Sequence, residues 1–176
     1  MFATVTLDDA NISAPDESDH AAIHFLGSAH IILNNENNEY NIADAGFNSN
    51  YPAVLAAHNV SGIGEEYTLT ISGSGSLDAN SLVAVESAVI GGGNEIPCGN
   101  IVIAGGTIYA EGGQYAAGIG SGYNSSCGTV TIAGEVMDID GVKYFNDPKI
   151  EGFTGTIGSL NSRAGGCEWE LSKDPF

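Results

Sequence analysis

The sequence predicts an all-β chain wound as a right-handed, single-stranded parallel β-helix, a solenoid of about five three-stranded coils. Three observations lead there. One stretch of the chain repeats another without a gap. Apolar residues alternate with period two, and no 3.6-residue periodicity is visible. The 25 Gly among 176 residues, beside only 5 Pro, imply many tight turns between short strands rather than a disordered linker.

The repeat is the firmest of the three. Residues 88–105 match residues 117–134 at a constant offset of 29. Ala88 and Ala117, Ile90 and Ile119, their flanking glycines, Cys98 and Cys127, and an apolar-x-Ile triplet all coincide. A second alignment, at an offset of 96, joins Val5, Leu7, Ile12, Ala14, Ala21 and Ile23 to Ile101, Ile103, Ile108, Ala110, Ala117 and Ile119. Two looser copies lie between, around Ile31 to Ala43 and Leu69 to Ala79.

Each unit holds three strand signals. In chain order, the first is an apolar-x-apolar triplet starting near residues 5, 31, 69, 101 and 130. The second centres on Ile12, Ile42, Leu77, Ile108 and Met137. The third is an Ala-x-Ile-like triplet: Ala21 to Ile23, Ala53 to Leu55, Ala88 to Ile90 and Ala117 to Ile119. Leucine-rich repeats need helical segments, and propeller blades need four antiparallel strands. A coil that returns to its start after three strands fits better. Rungs spaced ~4.8 Å apart would stack like residues into inner columns, over a length of about 25 Å.

The repeat pattern fades after Asp140, so we expect residues 1–140 to form the coils and 141–176 a C-terminal cap or a junction to a following domain. All four basic residues (Lys143, Lys149, Arg163 and Lys173) and the single Trp169 fall in that last segment. Trp169 is expected to cover the open end of the core. Cys98 and Cys127 should stack about 5 Å apart, close enough for a disulfide. Parallel in-register neighbours rarely reach good disulfide dihedrals, so a pair of small buried thiols is the favoured expectation. Cys167 lies outside the repeat and is expected to be free or packed in the cap.

Charge narrows the function. Twenty-two acidic residues against 4 Lys+Arg give a formal net charge of −18. Such a surface repels nucleic-acid phosphates and anionic lipid headgroups. It attracts cations such as Ca²⁺, although acidity also serves simply to keep a secreted protein soluble. No run of 18 apolar residues offers a membrane span. No basic, apolar leader precedes the first strand, and we expect the chain to be a piece of a longer secreted protein.

The blocks Tyr115 to Gly122 and Cys127 to Gly134 resemble repeats of secreted and cell-surface β-helix proteins of gut Bacteroidetes and Firmicutes, described as pectin-lyase-like or carbohydrate-binding-domain-like. The resemblance covers residues 4 to about 138. It implies an extracellular or cell-surface location, and by analogy with related β-helix domains it suggests binding of plant polysaccharide and Ca²⁺.

The residues themselves argue against the enzymes common on this scaffold. A lyase needs a basic residue to take the proton α to a carboxylate, and residues 1–140 contain no Lys or Arg. A glycosidase needs two facing carboxylates. Asp8 and Asp9 should point to opposite faces, and Asp16, Glu17 and Asp19 read as a solvated loop. Asp138-Ile-Asp140-Gly141 opens like a calcium loop but has no Glu at the EF-hand spacing, so a turn closing the last strand is expected. His20, His24, His30 and His58 read as exposed turn residues rather than zinc ligands. Tyr109, next to inward Ile108, should point outward, and Tyr115 and Tyr123 flank the Gly-rich segment of the same coil. These three tyrosines are the candidate ligand-binding residues, since aromatic faces bury apolar sugar faces.

The expectation is therefore a non-catalytic extracellular bacterial surface module, adhesin-like or carbohydrate-binding, with no catalytic residues and no cofactor unless Ca²⁺. Its partner would be a polysaccharide or cell-surface glycan, with end-to-end or lateral self-association as a further property. A carboxylate-based glycoside hydrolase and a purely structural, filament-forming β-helix are the alternatives.

Overall fold

The computed structural model describes residues 2–15, 20–34, 41–45, 51–57, 67–80, 86–111 and 116–132, and the backbone of three later strands. No helix occurs among them. The chain is a parallel β-helix. Its first sheet takes β1 (Phe2–Asp8), β4 (Ser28–Asn34), β7 (Thr68–Gly73), β10 (Asn100–Ile103), β13 (Val130–Ile132) and β16 (Trp169–Leu171). The second takes β2 (Asn11–Ser13), β5 (Asn41–Asp44), β8 (Ser76–Asn80), β11 (Thr107–Glu111) and β14 (Asp138–Asp140). The third takes β3 (Ile23–His24), β6 (Val54–Leu55), β9 (Ile90–Gly91), β12 (Ile119–Gly120) and β15 (Ile157–Gly158). Every third strand is a neighbour, and every pairing is parallel. Among the described residues that makes five coils and the first strand of a sixth.

Alternation decides which side chains face the axis. In β4, Ala29, Ile31 and Leu33 are fully buried while Ser28, His30, Ile32 and Asn34 are only partly covered. The same alternation holds in β7 and β10. The inner columns so formed, Ile31 on Ile71 on Ile103 and Leu77 on Ile108, make one continuous core. Each fully buried Ile or Leu contributes roughly 1.5–3 kcal/mol of transfer free energy.

The pairing corrects several expected registers. Ile31 stands beside Ile71, not Leu69, which lies beside Ala29. The offset of 96 holds in the third sheet, where Ile23 reaches Ile119 through Val54 and Ile90. In the other two sheets the ladder runs two residues further, joining Val5 to Ile103 and Ile12 to Ala110. A slip of two keeps every side chain on its face, so apolar alternation cannot detect it. Two slips are by one residue. Val54, not Leu55, joins the Ile23 column. Asn41, not Ile42, lies beside Leu77, which places an asparagine in the core.

Gly73 marks the corner at the end of β7. Its φ of +112° is open to glycine, and a Cβ there would stand 2.2 Å from the Leu33 carbonyl oxygen. The chain turns at Gly73 while β4 runs on beneath it, and Gly75 N–H donates to Leu33 O at 3.0 Å. Gly91 and Gly120 form a second such place, paired in register with φ of +135° and +137°. A Cβ on Gly91 would lie 2.0 Å from the Gly120 carbonyl oxygen, so Gly91 has no room for a side chain, and the φ of Gly120 strains any other residue there.

The cysteines do not form the expected thiol pair. Cys98 N–H donates to Ser126 O and Gly128 N–H to Cys98 O, which sets Cys98 and Cys127 on adjacent rungs. Cys98 is a buried thiol outside any disulfide, and it donates to Gly120 O at 3.4 Å. Cys127 is disulfide-bonded, and its partner lies outside the described residues. Parallel pairing continues past residue 140, with Ile157 beside Ile119 and Trp169 beside Val130. Cys167, Met137, the Trp169 side chain and the four basic residues lie outside the described residues.

Candidate functional site

The outer face of the second sheet carries the candidate site. Strand β11 forms because Ile108 and Ala110 are buried on one side, which turns Tyr109 to the other. Tyr109 is half-buried, and the ladder sets it directly between Asp78 on β8 and Asp140 on β14. Asp78 is exposed. One rung below it lies Ile42, and in the next outward position Asp44 pairs with Asn80. The face thus sets Tyr109 next to exposed Asp78, with the Asp140 backbone one rung further along the column, rungs being ~4.8 Å apart.

Tyr123 stands elsewhere. It belongs to the segment joining β12 to β13, between the third and first sheets. Its N–H donates to Glu86 O at 2.7 Å and its carbonyl accepts from Glu95 N–H at 2.9 Å. Beside it, Asn94 Nδ2 donates to Glu86 Oε2 at 2.7 Å. Tyr109 and Tyr123 therefore occupy different sides of the column. Tyr115 lies outside the described residues, as do Asp16, Glu17, Asp19 and His58.

The backbone of Asp138 to Asp140 is a strand paired with Thr107 to Tyr109, not a turn. Asp9 leaves the strand pattern, with a φ of +48° in the turn after β1. His30 Nε2 meets Ser72 Oγ at 2.7 Å on the outer side of the first sheet, whereas His24 ends β3 in the third. Burial, and secondarily the neighbouring His20, hold the His24 pKa below 6.5. Among the described residues no group of three or more His, Cys, Asp or Glu is placed to hold a metal ion.

Asp78 was not singled out by sequence reasoning. Its signal is its place one residue after inward Leu77, the same place Tyr109 holds after Ile108. Comparison with protein-family models gives no match, and neither curated proteins nor solved structures give a significant one.

Proposed function

We propose that this chain is a non-catalytic extracellular module of a bacterial surface protein that binds polysaccharide on the outer face of its second sheet. The observation that supports it is Tyr109, set in register between Asp78 and Asp140. A sugar ring laid along the rungs would cover its apolar face with the tyrosine and donate its hydroxyls to the flanking carboxylate of Asp78. Neutral glycans suit this face better than uronic acids, because residues 1–140 hold no Lys or Arg to bind a carboxylate directly. The sequence resemblance to cell-surface β-helix repeats supports the same location and ligand class.

A glycan array run with and without Ca²⁺ tests the reading. Binding should fall about three- to tenfold in Tyr109→Ala, the range of a single aromatic contact. Asp78→Asn should weaken the same glycans. Tyr115→Ala tests whether the surface extends along the coil, and Tyr123→Ala whether the ligand wraps onto another side. No binding to any glycan, or binding indifferent to Tyr109→Ala, would reject the proposal.

A further inference from the structure

The outward positions of the second sheet form a column along the axis of the solenoid. The ladder sets Asn11 beside Ile42, Ile42 beside Asp78 and Asp78 beside Tyr109. Ile42 faces outward because Asn41 and Ala43, on either side of it, are fully buried. Ile42 and Tyr109 are half-buried, while Asn11 and Asp78 are exposed. Polar and apolar side chains therefore alternate from rung to rung. The inner column of Ile31, Ile71 and Ile103 stacks like on like instead. At ~4.8 Å per rung, the two outward apolar groups stand about 10 Å apart with a carboxylate between them. A polar column flanks this one, with exposed Ser13 beside half-buried Asp44.

We propose that the ligand of this face is a linear, neutral, β-1,4-linked polysaccharide that lies along the solenoid axis, one sugar to a rung. The inference rests on the reading of the Tyr109 face as a glycan-binding surface, and it names the glycan and its direction. In a β-1,4-linked chain each sugar is turned over relative to the last, so equivalent ring faces recur at every second sugar. An extended sugar of this kind is about as long as one rung is high. Alternate rings then meet Ile42 and Tyr109 with the same apolar face. The ring between them offers its hydroxyls to Asp78, and the ring beyond Ile42 offers them to Asn11. An α-1,4-linked chain coils and does not keep that step over four rungs. A chain laid along β11 alone would leave Ile42 untouched. Polyuronates are repelled by a chain of formal net charge −18 with no Lys or Arg in residues 1–140.

Titration calorimetry of the full 176-residue chain with cello-oligosaccharides of increasing length tests this. Affinity should rise up to about four sugars, the span from Tyr109 to Asn11, and then level off. Malto-oligosaccharides of the same lengths should show no such gain. Ile42→Ser should weaken the tetrasaccharide about three- to tenfold, removing most of the gain over the disaccharide. Ile42→Tyr repeats Tyr109 two rungs away and should tighten the tetrasaccharide by a similar factor. Ile42 does not belong to the buried core, and circular dichroism checks that both variants fold. Malto-oligosaccharides that bind as well as cello-oligosaccharides, or a tetrasaccharide affinity indifferent to both Ile42 variants, overturn the inference. Glycan-array binding that depends on Tyr109 but excludes β-1,4-linked chains overturns this inference alone. An array with no binding at all overturns the surface as well.

Discussion

Asn41 occupies the inner column in which Leu77 and Ile108 are stacked, and it is fully buried. Its side chain ties three coils together. Oδ1 accepts from Ala10 N–H at 2.9 Å, while Nδ2 donates to Asn34 O at 2.8 Å and Ser76 O at 2.9 Å. An unmade buried hydrogen bond costs about 1–3 kcal/mol. Asn41→Leu fills the column with the residue its neighbour carries, yet it strands one donor and two acceptors. We expect it to destabilise the chain by about 2–4 kcal/mol in urea unfolding. A neutral or stabilising effect would mean that the amide contributes nothing beyond its volume. His24 supplies a second test at this scale. Burial and His20 lower its pKa in the folded chain, so protonation is disfavoured by folding. Its contribution is present above the unfolded value of about 6.5 and is lost as pH falls through the lower folded value. An NMR titration should place His24 below 6.5, and His20→Ala should raise it only partway, burial being the larger cause.

The strands and corners explain which parts of the fold were legible beforehand. The offset of 29 held in the first and third sheets, where the two coils adopt the same backbone, but in the second sheet it grows to 31, so that Ile139 and not Met137 stands beside Ile108. Ile90 and Gly91 pair with Ile119 and Gly120, and Glu95 and Asn124 both take left-handed φ values, 58° and 50°. Other registers escaped for a physical reason. Apolar alternation reports the face of a residue and not its rung, so slips of two near Ile31 and Ile12 left no trace in the pattern. Asn41 escaped because a polar residue between loop and strand reads as loop until its hydrogen bonds are seen. Tyr109 as an outward residue was legible from inward Ile108, but its setting between Asp78 and Asp140 needed the ladder. The left-handed pair carries a prediction. Asparagine tolerates that conformation better than glutamate. Glu95→Asn, which copies the neighbouring coil, should stabilise the chain by about 0.5–1 kcal/mol, and Asn124→Glu should destabilise it by a similar amount. Equal stabilities would show that the turn relaxes around either residue.

At the scale of the molecule, parallel stacking concentrates charge. Rungs ~4.8 Å apart bring side chains of successive coils within a Debye length, which is about 10 Å at 0.1 M salt. The formal net charge is −18, and residues 1–140 carry no Lys or Arg to interleave with the carboxylates. A net charge far from zero repels itself more in a compact state than in an unfolded chain, so it opposes folding. Screening should then raise stability. We expect Tm to climb as NaCl is increased, by roughly 2–4 °C for each kcal/mol of repulsion removed. A flat or falling curve would mean that the carboxylates are already compensated. The same scan in CaCl₂ at matched ionic strength separates screening from binding. Coincident curves assign the acidic surface to solubility alone. A higher Tm in CaCl₂ requires a site that prefers the divalent ion to the folded chain's diffuse counterions, because only differential binding to the folded state shifts the midpoint further. Repeating that scan on Asp78→Asn then decides whether such a site lies on the face that carries Tyr109.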